Sequence, residues 1–181
     1  MGPTQTIRPT FSRVLAALVA LCCLLTLAIV LAESGAVAAL RVAGPCAGVA
    51  LLTWTVFWRP LVEVSDGGVL LVNPWRTVHV PWPALDEVGA RWALTVRTTD
   101  GRTFSAFAAP APGATGGDRV GLSGEAVSAV EARGERLIAA GYLDQVRPEG
   151  ARVTVRAHVR TVVAMAALIA LSALALAVPA V

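Results

Sequence analysis

The chain has 181 residues, of which 56% are hydrophobic and only 15% charged, against roughly 25% charged in a soluble domain. Its net charge of +3 arises from 15 basic residues, all arginine, and 12 acids. This excludes a uniformly soluble globule, and the near balance of charge between residues 59 and 160 excludes the one-signed patch of a nucleic-acid binder.

A short tail with Arg8 and Arg13 leads into Val14–Leu31, where only Thr26 is polar. After Ala32-Glu33-Ser34-Gly35 a second apolar run, Ala36–Trp58, is interrupted by Arg41 and Pro45. About twenty apolar residues cross a bilayer core, and the backbone inside lipid must be helical. The reading is a transmembrane helical hairpin, with spans at about 14–32 and 36–58. The first run exceeds the 7–15 residues usual in a cleaved signal. Arg41 lies shallow in the second run, within snorkelling distance of the headgroups. Trp54 and Trp58 read as an interfacial belt. Cys22, Cys23 and Cys46 all fall in these apolar runs, where free thiols pack as small hydrophobes.

Residues 59–110 read as strands. Val62 and Val64 alternate with Glu63 and Ser65, and Asp66-Gly67-Gly68 is a hairpin turn. Val69–Val72 follows, then the turn Asn73-Pro74-Trp75. Val78, Val80 and Trp82 share one face, with Thr77 and His79 on the other. Pro81 and Pro83 end regular pairing. Ala84–Val88 is a short strand or connection. Trp92, Leu94 and Val96 point inward while Arg91, Thr95 and Arg97 point out. Asp100-Gly101 turns the chain into Arg102–Phe107. Short strands at this spacing make a small antiparallel sheet or barrel.

Residues 111–121 are rich in Ala, Pro and Gly and read as a flexible loop. With no lysine in the chain, its glycines do not make a phosphate-binding loop. An amphipathic helix is expected within 122–145, capped by Ser123, with Val127, Val130, Leu137 and Ile138 on its apolar face and Gly141 at its end. Residues 146–160 form a basic approach segment, in which Arg152, Arg156 and Arg160 align whether it is strand or helix. They are candidate contacts for anionic lipid. Residues 161–181 read as a third transmembrane helix, in which Ala164, Ala167, Ala170 and Ala173 permit close helix packing.

Arginine placement sets the expected orientation. The basic flanks, Arg8, Arg13, Arg59 and Arg147 to Arg160, fall on one side when the N-terminus and the domain are cytoplasmic and the C-terminus is outside.

Catalytic chemistry is not indicated. His79 and His158 are the two histidines, and neither has a carboxylate or cysteine at metal-ligand spacing. Asp86-Glu87 reads as a solvated turn, and His79, Arg91 and Arg97 as exposed sheet-face contacts. Trp75, Trp82 and Trp92 read as packing residues. No catalytic, cofactor-binding or metal-binding residue is assigned.

Strands closed by one C-terminal helix follow the plan of a pleckstrin-homology (PH) domain. The stretch from Asn73, Pro74 and Arg76 to Pro81 and Trp82, then Trp92 and Gly101, resembles the membrane-attached bacterial PH-like proteins of actinobacteria. A composition heavy in Ala, Arg, Gly and Val suits a GC-rich bacterial genome. The resemblance implies a transmembrane helical hairpin joined to a PH-like domain; with the third apolar run, the expected fold is α+β, three membrane-spanning helices plus a PH-like sheet or barrel closed by the amphipathic helix. It implies a cell-membrane location and no particular ligand. The expected function is a non-catalytic, multi-pass interaction module at the inner face of the bacterial membrane, docking a protein partner or anionic headgroups. The alternative is an accessory subunit assembled into a larger membrane complex through its helices. Expected partners are therefore membrane lipid and an unidentified protein, with no cofactor and no nucleic acid.

Overall fold

Alternation of β-branched residues with polar ones gives this chain two small sheets. The computed structural model describes residues 3–90, 92–110, 121–142 and 152–177. These fall into a β unit, 1–9 with 60–157, and a helical unit, 10–59 with 158–181.

In the β unit, β1 (Gln5–Ile7), β2 (Leu61–Ser65), β3 (Gly68–Val72), β4 (Arg76–Val80) and β8 (Thr154–Ala157) form one antiparallel sheet in the order β1-β2-β3-β4-β8. A second sheet joins β5 (Leu85–Gly89), β6 (Ala93–Thr98) and β7 (Thr103–Pro110) in sequence order. The inward sets meet as expected: Val62, Val64, Val69, Leu71, Val78, Val80, Leu94 and Val96 are all essentially inaccessible. Burial of each such side chain contributes about 1.5–3 kcal/mol. Phe104, Ala106 and Ala108 of β7 complete the floor.

The turns follow their local chemistry. Gly68 has φ 136, and a Cβ there would collide with the carbonyl of Val80. Only glycine satisfies both conditions, so the second glycine of Asp66-Gly67-Gly68 is required. Gly101, at φ 80, turns β6 into β7.

Helix α2 (Leu122–Ala139) covers the core with Ala126, Val130 and Leu137, and Gly141 ends it at φ 73. Three details differ from expectation. The N-cap is Gly121, while Ser123 is buried in the first turn. Ile138 is exposed, because Leu137 takes the inward position beside it. Arg133 is buried instead, since Asp66 compensates its charge. The expected loop over 111–121 lies, apart from Gly121, outside the described residues.

The two strands nobody would pair from local pattern are the outermost. β1 lies against β2 with Ile7 opposite Val62, and β8 lies against β4 with Val155 opposite Val78. The sheet thus draws its edges from both ends of the chain's soluble sequence.

In the helical unit, α1 (Thr10–Thr53) continues through a π-helical turn to Trp58. Helical geometry is broken at Gly35, with φ 78 and ψ −179. The guanidinium of Arg13 lies 4.4 Å from the ring centroid of Trp58, so the element doubles back at that glycine. Helix α3 is Val159–Ala177.

The expectation of three membrane-spanning helices is not supported. Among the described residues, one helix is long and apolar enough to cross a membrane, Thr10–Trp58 at 49 residues. Within it the two runs separated in sequence are two helices that meet at Gly35, where the helical geometry breaks. The apolar part of α3, Val159–Ala175, is shorter. Its packing face also differs from the alanine stripe. Ala164, Ala167, Ala170 and Ala173 are exposed, and Thr161, Met165, Leu168 and Ser172 are the partly buried positions. Ser172 is the close neighbour of Gly44 on α1, where a Cβ would come within 2.8 Å of its hydroxyl.

Candidate functional site

The residues singled out in sequence have separate structural roles. Asn73 ends β3 and is 8% exposed. Its Nδ2 donates to the carbonyl of Ser105 at 2.9 Å, and its Oδ1 accepts from the N–H of Phe107 at 2.7 Å. One amide thereby occupies a donor and an acceptor of β7 and ties the two sheets together. Its own N–H donates to the carbonyl of Arg76 at 2.9 Å and closes the turn. Pro74 is buried inside that turn, while Trp75 projects from it, 45% exposed.

Pro81 ends β4 in extended geometry and starts the short 3-10 turn Trp82–Ala84. Trp82 is buried; its Nε1 donates to the carbonyl of Ser65 at 2.9 Å, and its ring lies 3.5 Å from where a Cβ would stand on Gly134 of α2. Sheet, turn and helix therefore meet on this indole. Trp92 does not pack as expected. It precedes the first residue of β6 and is 80% exposed, so the inward alternation begins only at Leu94. Trp75 likewise is not a core residue.

Of the sheet-face candidates, His79 is half-buried on the outer face of β4, opposite Leu70 and Thr154. Arg97 is exposed, 3.9 Å from carboxylate oxygens of both Asp86 and Glu87. Solvated pairs at this separation contribute about 0–1 kcal/mol. Arg91 lies outside the described residues. The structure does not gather His79 and Arg97 into one site, since they sit on different sheets.

The basic approach segment divides. Arg152 and Arg156 belong to the β unit and Arg160 to α3 of the helical unit. All three are exposed. Arg152 stands four residues from Arg156 along the β8 direction, roughly 13 Å at strand rise. No single strand or helix carries all three.

Two ionic arrangements escaped the sequence reading. Arg133 Nε lies 2.9 Å from Asp66 Oδ1, and its Nη2 donates to the carbonyl of Pro3 at 3.3 Å. This side chain joins α2 to the β2–β3 turn and to the N-terminal segment. The second lies at the β6–β7 hairpin. Arg102 Nε donates to Asp100 Oδ2 at 2.7 Å, and the hydroxyl of Thr98 donates to the other carboxylate oxygen. The Arg102 hydrogen bond, with help from Thr98, holds the Asp100 carboxyl down to about 2. Arg76 and Arg102 both approach the ring of Phe104, at 5.8 and 5.6 Å from its centroid.

A cavity of about 360 Å³ opens beside this hairpin, lined by Ala84, Thr98, Asp100, Arg102, Arg152 and Val153. Two arginines and one carboxylate line it, and that carboxylate engages Arg102. Among the described residues, no group of three or more His, Cys, Asp or Glu side chains is placed to share a metal ion.

No curated protein and no solved structure matches the chain. A family model described as a bacterial PH domain does match, over residues 59–112, which takes in β2 through β7 and leaves β1, α2 and β8 outside it. Asn73, Trp82 and Gly101, the sheet clamp, the core indole and the hairpin turn, all lie inside that span, so residues 59–112 are similar to a bacterial PH domain.

Proposed function

We propose that the chain is a non-catalytic interaction module, anchored by α1 and held at the inner face of a bacterial membrane, where its PH domain docks a protein partner or anionic headgroups. The observation that carries this reading is the fusion of a bacterial PH domain to a 49-residue apolar helical element. PH domains are in general interaction modules. Arg13 over Trp58 and Arg59 over Trp54 add the aromatic-basic pairing favoured at a membrane interface. Arg8, Arg13 and Arg59 flank α1, and the bias of arginine toward the cytoplasm supports the reading that the β unit is inside. Arg152, Arg156 and Arg160 are the candidate headgroup contacts, each worth about 1 kcal/mol near an anionic surface and fading within a Debye length.

Two measurements test the reading. The full chain should resist extraction from membranes by alkaline carbonate. A Thr99→Cys label, on the exposed β6–β7 hairpin of a chain with its native cysteines replaced, should be shielded from an impermeant thiol reagent in intact cells and react after lysis. Release by carbonate would remove the anchor, and reaction in intact cells would reverse the side. Purification in mild detergent with a stoichiometric membrane partner would favour an accessory subunit instead.

A further inference from the structure

Strand register in the larger sheet aligns Ile7, Val62, Leu71, Val78 and Val155 in one row across the strands. All three connections to the helical unit leave the sheet on the same side of that row: after Ile7, before Leu61 and after Ala157. The β3–β4 turn bearing Trp75 lies at this end too, because Val72 pairs with Leu61 and with Thr77. Asn73 brings Phe107 to the same place through the hydrogen bond to its N–H.

This end leaves two large aromatic side chains outside the core, Trp75 at 45% and Phe107 at 51% exposure. Exposed bases accompany them: Arg8 just past β1, Arg76 at the start of β4 and Arg156 opposite Thr77. Asp66, by contrast, lies at the β2–β3 turn, at the far end of the same strands. One end of the β unit is thus both aromatic and basic. Aromatic rings of this kind concentrate at the level of lipid headgroups, and arginines are drawn to an anionic leaflet.

The connections are short. Arg8 and Pro9 lead to Thr10, Arg59 and Pro60 separate Trp58 from Leu61, and His158 alone separates Ala157 from Val159. Extended chain covers ~3.5 Å per residue, so each connection reaches about 10 Å at most. The aromatic end is therefore the part of the β unit with the least chain between it and an apolar helix.

We propose that this end is a lipid-contact surface, with Trp75 and Phe107 lodged at headgroup level in an anionic leaflet and Arg8, Arg76 and Arg156 paired with its phosphates. The inference rests on the anchored-module reading and names the ligand class of that module, the phosphate-bearing headgroup region of anionic phospholipid.

The test uses the full chain with Cys22, Cys23 and Cys46 replaced by Ala, reconstituted into vesicles of phosphatidylcholine and phosphatidylglycerol. A polarity-sensitive fluorophore is attached at Trp75→Cys, Phe107→Cys or Thr99→Cys. Probes at positions 75 and 107 should be quenched by nitroxide-bearing lipid and protected from iodide, whereas the probe at position 99 should show the reverse. To separate the protein's contact from the probe's own affinity for lipid, Trp75→Glu is added to the Phe107→Cys chain. Lipid quenching at position 107 should then fall severalfold. If the chain floats with the vesicles but positions 75 and 107 behave like position 99, or Trp75→Glu changes nothing, the lipid surface is refuted and the anchored module stands. If the chain does not float, both readings fall.

Discussion

Replacing Asn73 by Ala removes the amide that joins β3 to β7. The carboxamide makes two well-formed hydrogen bonds to backbone groups, at 2.9 and 2.7 Å, from a side chain with 8% exposure. A hydrogen bond of this kind contributes about 0.5–1.5 kcal/mol net, and each partner left buried and unpaired costs about 1–3 kcal/mol. The side chains of Ser105 and Phe107 are exposed, so water reaches part of the vacated site and the lower end applies. The expected loss is about 2–3 kcal/mol. Asn73→Asp retains the acceptor for Phe107 and loses the donor to Ser105, setting a carboxylate against a carbonyl. It should therefore be no milder than Asn73→Ala at neutral pH. The measurement is urea unfolding of the full chain in mild detergent, where the apolar helices stay micelle-bound and tryptophan fluorescence follows the β unit. A change for Asn73→Ala within about half a kcal/mol, the range of an ordinary surface site, would show that the two sheets hold together without this amide.

In the same assay Leu94→Ala, at a fully buried position, should cost about 2–5 kcal/mol, and Arg97→Ala, with its solvated pairs, less than about half a kcal/mol; equal costs would mean the β6 face is assigned backwards. Asp66→Ala strands the buried Arg133 guanidinium and should cost about 3–5 kcal/mol, whereas Arg133→Met leaves Asp66, whose side chain is 30% exposed, able to hydrate and should cost distinctly less; the reverse order would refute the buried pair as drawn. Because the Asp100 carboxyl is held at about 2, below its unfolded value of 3.8, its contribution is complete above about pH 4 and is lost as pH falls toward 2. Asp100→Asn should accordingly flatten the acid limb of thermal stability between those pH values, and an unchanged limb would show that the Arg102 hydrogen bond does not stabilise the fold.

Local chemistry determined the strands and turns. Val62 and Val64, Val78 and Val80, and Leu94 and Val96 were assigned to the core by period-two alternation alone, because a strand sends neighbouring side chains to opposite faces. Asp66-Gly67-Gly68 and Asp100-Gly101 marked turns because their backbone geometry suits glycine. Alternation tells which side a residue faces and is silent about which strand lies beside it. The pairing of Gln5–Ile7 with β2, and of Thr154–Ala157 with β4, joins segments far apart in sequence and came only from the tertiary structure. The same is true of Arg133, whose burial depends on a carboxylate and a carbonyl from two other segments. Asn73 was noticed in a motif, but its work as a clamp depends on where β7 passes. Trp75 and Trp92 were read as core because indoles usually bury; whether they do depends on a covering partner, and the fold supplies one to Trp82 in α2 and not to these two. Apolar runs identified the helices, while the division of the first two was decided by a single glycine bend. Hydropathy is a property of residues and was available from the sequence, whereas the fold-back that brings Arg13 over Trp58 is a property of backbone geometry and was not.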